Sequence, residues 1–153
     1  MTTKEIHQGV GLLISNSNQT KFFVQIKDDQ YPHEAWRGAC AFWGGAIEPE
    51  DKEELIAVER ELEEEIPEAA VLLKKVPKQK IKRYWIDNKT VVQAFWLTVF
   101  EAVVSDAQLQ QISQTEVLEG RGLLISKEDL LQRKWIWGMD FILKEYLEHK
   151  ENV

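Results

Sequence analysis

Three glutamates, Glu61, Glu64 and Glu65, stand at i, i+3 and i+4 in a run whose apolar residues Leu55, Val58, Leu62 and Ile66 recur at helical spacing. On a helix starting at Asp51 and about four turns long, that spacing gathers the three carboxylates on one face, roughly 100° round from the apolar stripe. Like charges at i, i+4 repel by a few tenths of a kcal/mol each, and Arg60 alone cannot neutralise the five glutamates between positions 59 and 65. A positive partner is therefore expected. A hard divalent cation such as Mg²⁺ suits the residue types, because it takes oxygen ligands, keeps several waters and is commonly held by one or two carboxylates plus phosphate oxygens. The same run could be a solvated charged face. Gly44-Gly45 just upstream, where backbone can approach a ligand closely, favours the site.

Around this element the chain is nearly neutral. Glu48 to Glu68 carries eleven acidic and two basic side chains, a charge of −9, whereas the whole chain carries −7. That balance argues against general nucleic-acid binding through phosphate neutralisation. The 153 residues, 44% hydrophobic with six Trp, six Phe and three Tyr, suffice for one domain spanning 1–153 with its own core. The single cysteine, Cys40, excludes an internal disulfide, and His7, His33 and His149 are too scattered for a zinc site. No apolar run approaches the roughly 18 residues of a membrane span, and the N-terminus lacks the order of a signal peptide, so a cytoplasmic address is expected.

The elements that must position the glutamates follow from pattern. Val10 to Ser15 and Lys21 to Lys27, separated by the turn formers 16–20, predict a hairpin. Ala39 to Trp43 predicts a buried strand ending at a double-glycine turn. Asp51 with Glu54 has capping-box spacing, and Pro67 ends the helix. Three β-type runs follow, at 70–76, 81–86 and 90–104, the last two joined by a turn at 87–90 and pairing antiparallel. Leu123 to Ile125 is a short apolar run. Ser126 with Asp129 opens a short helix over 127–131, and 135–149 reads as an amphipathic closing helix packed by Trp135 and Trp137. Strands bracketing a central helix give a mixed α/β layered domain.

The stretch from Gly44 to Pro67 resembles the Nudix box, G-x5-E-x7-R-E-U-x-E-E-x-G-U with U aliphatic. Arg60 to Glu65 matches R-E-U-x-E-E at every position. Gly44-Gly45 with Glu48-Pro49 resembles the box's opening, and Ala57 sits where the family usually has Ala. The resemblance implies an α+β chain folded as an α/β/α sandwich with a mixed central sheet. Three departures stand out. One extra residue between Gly45 and Arg60 leaves Glu50 and Asp51 as alternative partners for Arg60. Pro67 replaces the closing Gly, and Trp43 replaces the Pro often found before the double glycine.

By the same resemblance, Glu61, Glu64, Glu65 and the carbonyl of Gly45 are the ligands of Mg²⁺ or Mn²⁺, Arg60 orients the carboxylates, and water attacks a diphosphate linkage. Glu64 and Arg60 are thereby counted with the catalytic group, as are Glu119, first choice for the base, and Glu116, second. For substrate grip, Arg37 and Lys82 are candidates and Trp43 is a candidate pocket lining. Lys78, Lys80 and Lys82 alternate along one strand face, where they either grip phosphate or guard a sheet edge. Trp36, Trp43, Trp85 and Trp96 are core residues or base-stacking ones, and His33 reads as solvated.

The implied activity is metal-dependent hydrolysis of a small-molecule nucleoside diphosphate derivative, nucleotide-sugar-like or another NDP-X, without membrane association. The aromatic content permits a homodimer. The alternative is a Nudix-like nucleotide-binding, sensing module with little or no turnover. An isopentenyl diphosphate isomerase would need a catalytic cysteine, and Cys40 lacks that family's surroundings.

Overall fold

The glutamate helix lies against a seven-stranded mixed sheet in the computed structural model of the protein, which describes residues 7–151. In chain order the elements are β1 (Gln8–Asn16), β2 (Lys21–Ile26), β3 (Cys40–Ala41), β4 (Trp43–Ala46), α1 (Glu54–Glu65), α2 (Pro67–Leu73), β5 (Lys78–Ile86), β6 (Phe95–Val104), α3 (Asp106–Ser113), β7 (Arg121–Ser126), α4 (Lys127–Leu130) and α5 (Asp140–Glu151). The strands run β3-β2-β1-β6-β5, with β4 also paired to β1 and β7 to β2. β1 and β6 are parallel over nine residue pairs, and the other pairings are antiparallel.

Period-two alternation along the central strands splits the core into two layers. From β1, Val10, Leu12 and Ile14 meet Ala57, Val58 and Leu62 of α1, together with Leu73 of α2 and Leu109 and Ile112 of α3. Leu13, with Phe22, Val24 and Ile26 of β2, faces the opposite layer, where Ile142, Leu143, Tyr146 and Leu147 of α5 pack. Helices thus cover both faces, as a sandwich requires. α5 is further tied to β6 where the Tyr146 hydroxyl donates to the buried Glu101 carboxylate, which also accepts from Lys150 Nζ at 3.1 Å.

Several expected elements take another form. Gly44-Gly45 is not a turn but lies within β4, opposite Gly11 and Val10 of β1. Gly44 has φ 151°, and a Cβ there would sit 2.1 Å from the Val10 carbonyl oxygen, so no other residue fits. α1 starts at Glu54, so Asp51 does not cap it, and Leu55 is exposed rather than part of the buried stripe. Pro67 ends α1 and opens α2 at its first position, where its missing N–H is no loss, so the run at 70–76 is mostly helix rather than strand. The extended part of the 90–104 run begins only at Phe95. α3, opened by a Ser105/Gln108 capping box, has no counterpart in the sequence reading. The closing helix starts at Asp140 because Ile136–Gly138 forms a 3₁₀ turn with left-handed backbone at Trp137 (φ 52°) and Gly138 (φ 67°).

Candidate active site

α1 delivers its carboxylates to the sheet through the loop before it. The Asp51 carboxylate accepts from the Glu48 N–H at 2.8 Å and from Arg60 Nη2 at 2.8 Å and Nε at 3.1 Å. Asp51 is therefore the Arg60 partner, and the exposed Glu50 is not. Hydrogen bonding to Arg60 holds the Asp51 carboxyl below the usual carboxylate range. The remaining guanidinium N–H groups reach the Ala46 carbonyl (2.9 Å), Glu61 (3.1 Å) and Glu64 (3.2 Å). One cation thus fastens the β4–α1 loop to the helix.

The three box glutamates do not converge equally. Glu61 and Glu65 turn to the sheet and are buried, while Glu64 stays exposed on Arg60. The Glu61 carboxylate occupies the space that a Cβ on Gly45 would take, 2.7 Å from its Oε1. Glu65, 1% exposed, accepts from the Gly44 N–H (2.8 Å) and from Gln25 Nε2 (3.0 Å). Burial, then the charges of Glu119 and Glu61, push the Glu65 carboxyl up to about 8. Burial likewise raises Glu61, against the pull of Arg60. Glu65 is a buried carboxylate with neutral hydrogen-bond donors and acidic neighbours.

A second signal is Gln25 of β2, fully buried and missed by the sequence reading. Its Nε2 bridges Glu65 Oε2 and the Glu119 carbonyl (2.9 Å), and its Oε1 has no partner. The Leu118 N–H adds a 2.8 Å bond to the Glu65 carbonyl. The 114–120 loop is thereby pinned to the end of α1, and the charge of Glu119 acts on Glu61, Glu65 and Tyr31. Glu116 is exposed on the same loop.

Beside the double glycine opens a cavity of about 370 Å³, bounded by Gly44, Gly45, Lys27, Tyr31, Phe42 and Trp137 among others. None of the three expected substrate-side residues lines it. Trp43 is fully buried on the α1 side, stacked on Phe23 at 5.1 Å with its indole N–H on the Phe23 carbonyl, so it is core and not pocket wall. Arg37 Nε donates to the Tyr31 carbonyl at 2.9 Å and braces the 28–38 loop instead. Lys82 pairs with Glu145 of α5 at 2.9 Å. A bulge between Lys80 and Lys82 breaks the alternation, and Lys78 and Lys80 pair with Glu59 and Glu54 of α1, so this edge strand's lysines cover the sheet border. The cation at the cavity is Lys27, which the sequence reading passed over.

The donor set suits a hard cation. It is all oxygen, Glu65 has no cationic hydrogen-bond donor, and the Gly45 backbone runs directly against Glu61. Among the described residues no three acidic, His or Cys side chains close into a ready-made cage.

A NUDIX domain model matches residues 5–146. A mutT/nudix family protein from Listeria innocua shares 16% identity and a TM-score of 0.69 over 98% of this chain and 97% of its own. The MutT protein from Methanosarcina mazei Go1 shares 15% and 0.69, over 97% and 98%. The NUDIX domain of Shewanella oneidensis NrtR, solved in complex with ADP ribose, shares 16% and 0.67, over 97% and 90%. No curated protein sequence matches.

Proposed function

The chain belongs to the NUDIX hydrolase family, and on that premise we propose that it cleaves the diphosphate linkage of nucleoside diphosphate derivatives in a reaction that depends on Mg²⁺ or Mn²⁺. The observation that carries this is Glu65, buried beside Glu61 and Glu119 without a cationic hydrogen-bond donor. Glu61, Glu64, Glu65 and the Gly45 carbonyl would hold the ion, and Arg60, clamped by Asp51, keeps Glu61 and Glu64 in place. When bound, the ion offsets the repulsion between a diphosphate and this acidic element, lowers the pKa of water and stabilises charge on the phosphoryl oxygens. Glu119 is the residue we assign to receive the proton from the attacking water, in preference to Glu116, because its charge bears on Glu61 and Glu65. Gln25 and Leu118 hold its loop. The cytoplasm is the proposed setting; among the described residues no helix is long and apolar enough to cross a membrane.

A sensing module without turnover is the second reading. The outward Glu64 supports it, as does a neighbour solved with ADP ribose. A panel of nucleoside diphosphate derivatives, incubated with millimolar Mg²⁺ or with EDTA and read by phosphate release after a coupling phosphatase, separates the two. Metal-dependent release from a subset is the expected result. Tight binding of a panel member with no release from any would overturn hydrolysis in favour of sensing.

A further inference from the structure

β5 and β7 border the sheet, each paired along one side only. An unpaired strand edge presents a row of backbone N–H and C=O groups that another strand can adopt, and folds normally blunt it with charge, a bulge or proline. β5 is blunted twice over, by Lys78, Lys80, Lys82 and Arg83 and by the bulge between Lys80 and Lys82. β7 has neither device. Its pairing with β2 runs unbroken from Arg121 to Ser126, and residues 122–126 include no charge and no proline. Leu123 and Ile125 pack against the α5 layer and Leu124 against the α1 layer, so the apolar side chains are used inside the fold while the outer backbone is not.

The hydrogen-bond phase of β7 is set by Lys127, whose N–H donates to the Thr20 carbonyl at 2.8 Å. Bonded pairs alternate along an antiparallel ladder, so Arg121, Leu123 and Ile125 bond β2, and Gly122, Leu124 and Ser126 aim their N–H groups away from it. Among the described residues no backbone acceptor outside the ladder meets those three N–H groups. The charges at the two ends of the strand are unanswered as well. Arg121 at its start, and Glu128 and Asp129 just past its end, are exposed and enter no ion pair among the described residues. Lys127, between them, lies 3.8 Å from Glu151.

We infer that β7 is an interaction edge whose partner is the β7 of a second copy of this chain, added antiparallel about a two-fold axis near Leu124 so that one sheet continues into the other. Antiparallel self-pairing brings the start of one strand to the end of its twin. Arg121 of each copy therefore meets Glu128 and Asp129 of the other, and the outward N–H groups of Gly122, Leu124 and Ser126 gain acceptors in the same step. A foreign strand would need the same order of base, apolar run and acid, which a second copy carries by symmetry. Pairing at this edge uses none of the α1 carboxylates and does not depend on the hydrolase reading.

Analytical ultracentrifugation of the full chain from about 1 to about 100 µM, a range set by the micromolar affinity of small interfaces, should show a concentration-dependent dimer. Arg121→Glu, at an exposed residue without an ion pair, should keep the melting temperature and weaken the dimer at least about tenfold, because like charges then face each other at both ends. The opposite exchange, Glu128→Arg with Asp129→Arg, should weaken it likewise, and the two sets combined should restore it. Amide exchange followed by NMR locates the interface. Where wild type is dimeric, Gly122, Leu124 and Ser126 should exchange more slowly than in the Arg121→Glu monomer, while Leu123 and Ile125, bonded to β2, are equally protected in both. A monomer across the whole range would overturn the inference and leave the edge to a foreign strand. So would a dimer indifferent to both charge exchanges, a folded combined variant that stays monomeric, or a dimer whose Gly122 and Leu124 amides exchange as fast as in the monomeric variant.

Discussion

Replacing Glu65 with Gln should change the sign of its effect on stability as pH rises in metal-free protein. The unfolded chain ionises this carboxyl near 4.5, whereas burial and the neighbouring charges hold it protonated up to about 8 in the fold. Between these values the folded state binds more protons than the unfolded state, so wild-type stability falls with rising pH across that window and levels off above it. At pH 8 the accumulated penalty is at most roughly 4 kcal/mol, an upper bound because relaxation and water entry reduce it. Glu65→Gln removes that penalty. It also exchanges one acceptor for a donor where the Gly44 N–H and Gln25 Nε2 both need acceptors, a loss of about 1–3 kcal/mol. The variant should therefore be less stable than wild type at pH 4.5, equal to it near about pH 6, and more stable by about 1–3 kcal/mol at pH 8. Urea unfolding in EDTA across this range measures it, and saturating Mg²⁺ should reverse the order at pH 8. A variant less stable by the same amount at every pH would refute the assignment of Glu65 as an uncompensated buried acid.

Other expectations follow from the same geometry. Gly45→Ala should fold and lose activity, because its Cβ displaces only the Glu61 carboxylate, whereas Gly44→Ala meets the backbone of Val10 and should unfold well below the wild-type melting temperature; thermal melts and turnover of the pair test this. Asp51→Asn should cut turnover, and Glu50→Gln should leave it unchanged, since of these two acids Asp51 alone bonds Arg60. Gln25→Leu, similar in volume, should lower kcat more than KM by loosening the Glu119 loop from Glu65, which steady-state kinetics would show.

What the sequence discloses about this molecule divides along the range of the interactions involved. α1, the hairpin of β1 and β2, the antiparallel β5–β6 pair and the short α4 with its Ser126 cap are written in local period and turn chemistry, and the carboxylates of the site are carried by the helix among them. The double glycine looks like a turn because its real partner, β1, lies some thirty residues upstream, and strand pairing at that distance leaves no local mark. Pro67 looks like a stop because a first-turn proline and a helix-ending proline are the same letter; only the following Ala69, Ala70 and Leu73, buried on one face, identify α2. The Ser105/Gln108 box was a readable signal for α3. Lys27 and Trp137 were not readable as a pair, since the cavity that joins them is closed by loops 110 residues apart in sequence. Trp43, Arg37 and Lys82 looked like substrate contacts by proximity to the box and by charge, and tertiary packing committed them to Phe23, Tyr31 and Glu145.

The central claim is that the α1 carboxylates hold a catalytic cation, and Glu64→Gln tests it most directly. Glu64 is exposed and Arg60 keeps Asp51 without it, so the fold should survive. On the best substrate from the nucleotide panel at saturating Mg²⁺, the account predicts turnover lower by at least about 100-fold with an unchanged melting temperature. Near wild-type turnover under those conditions would contradict it.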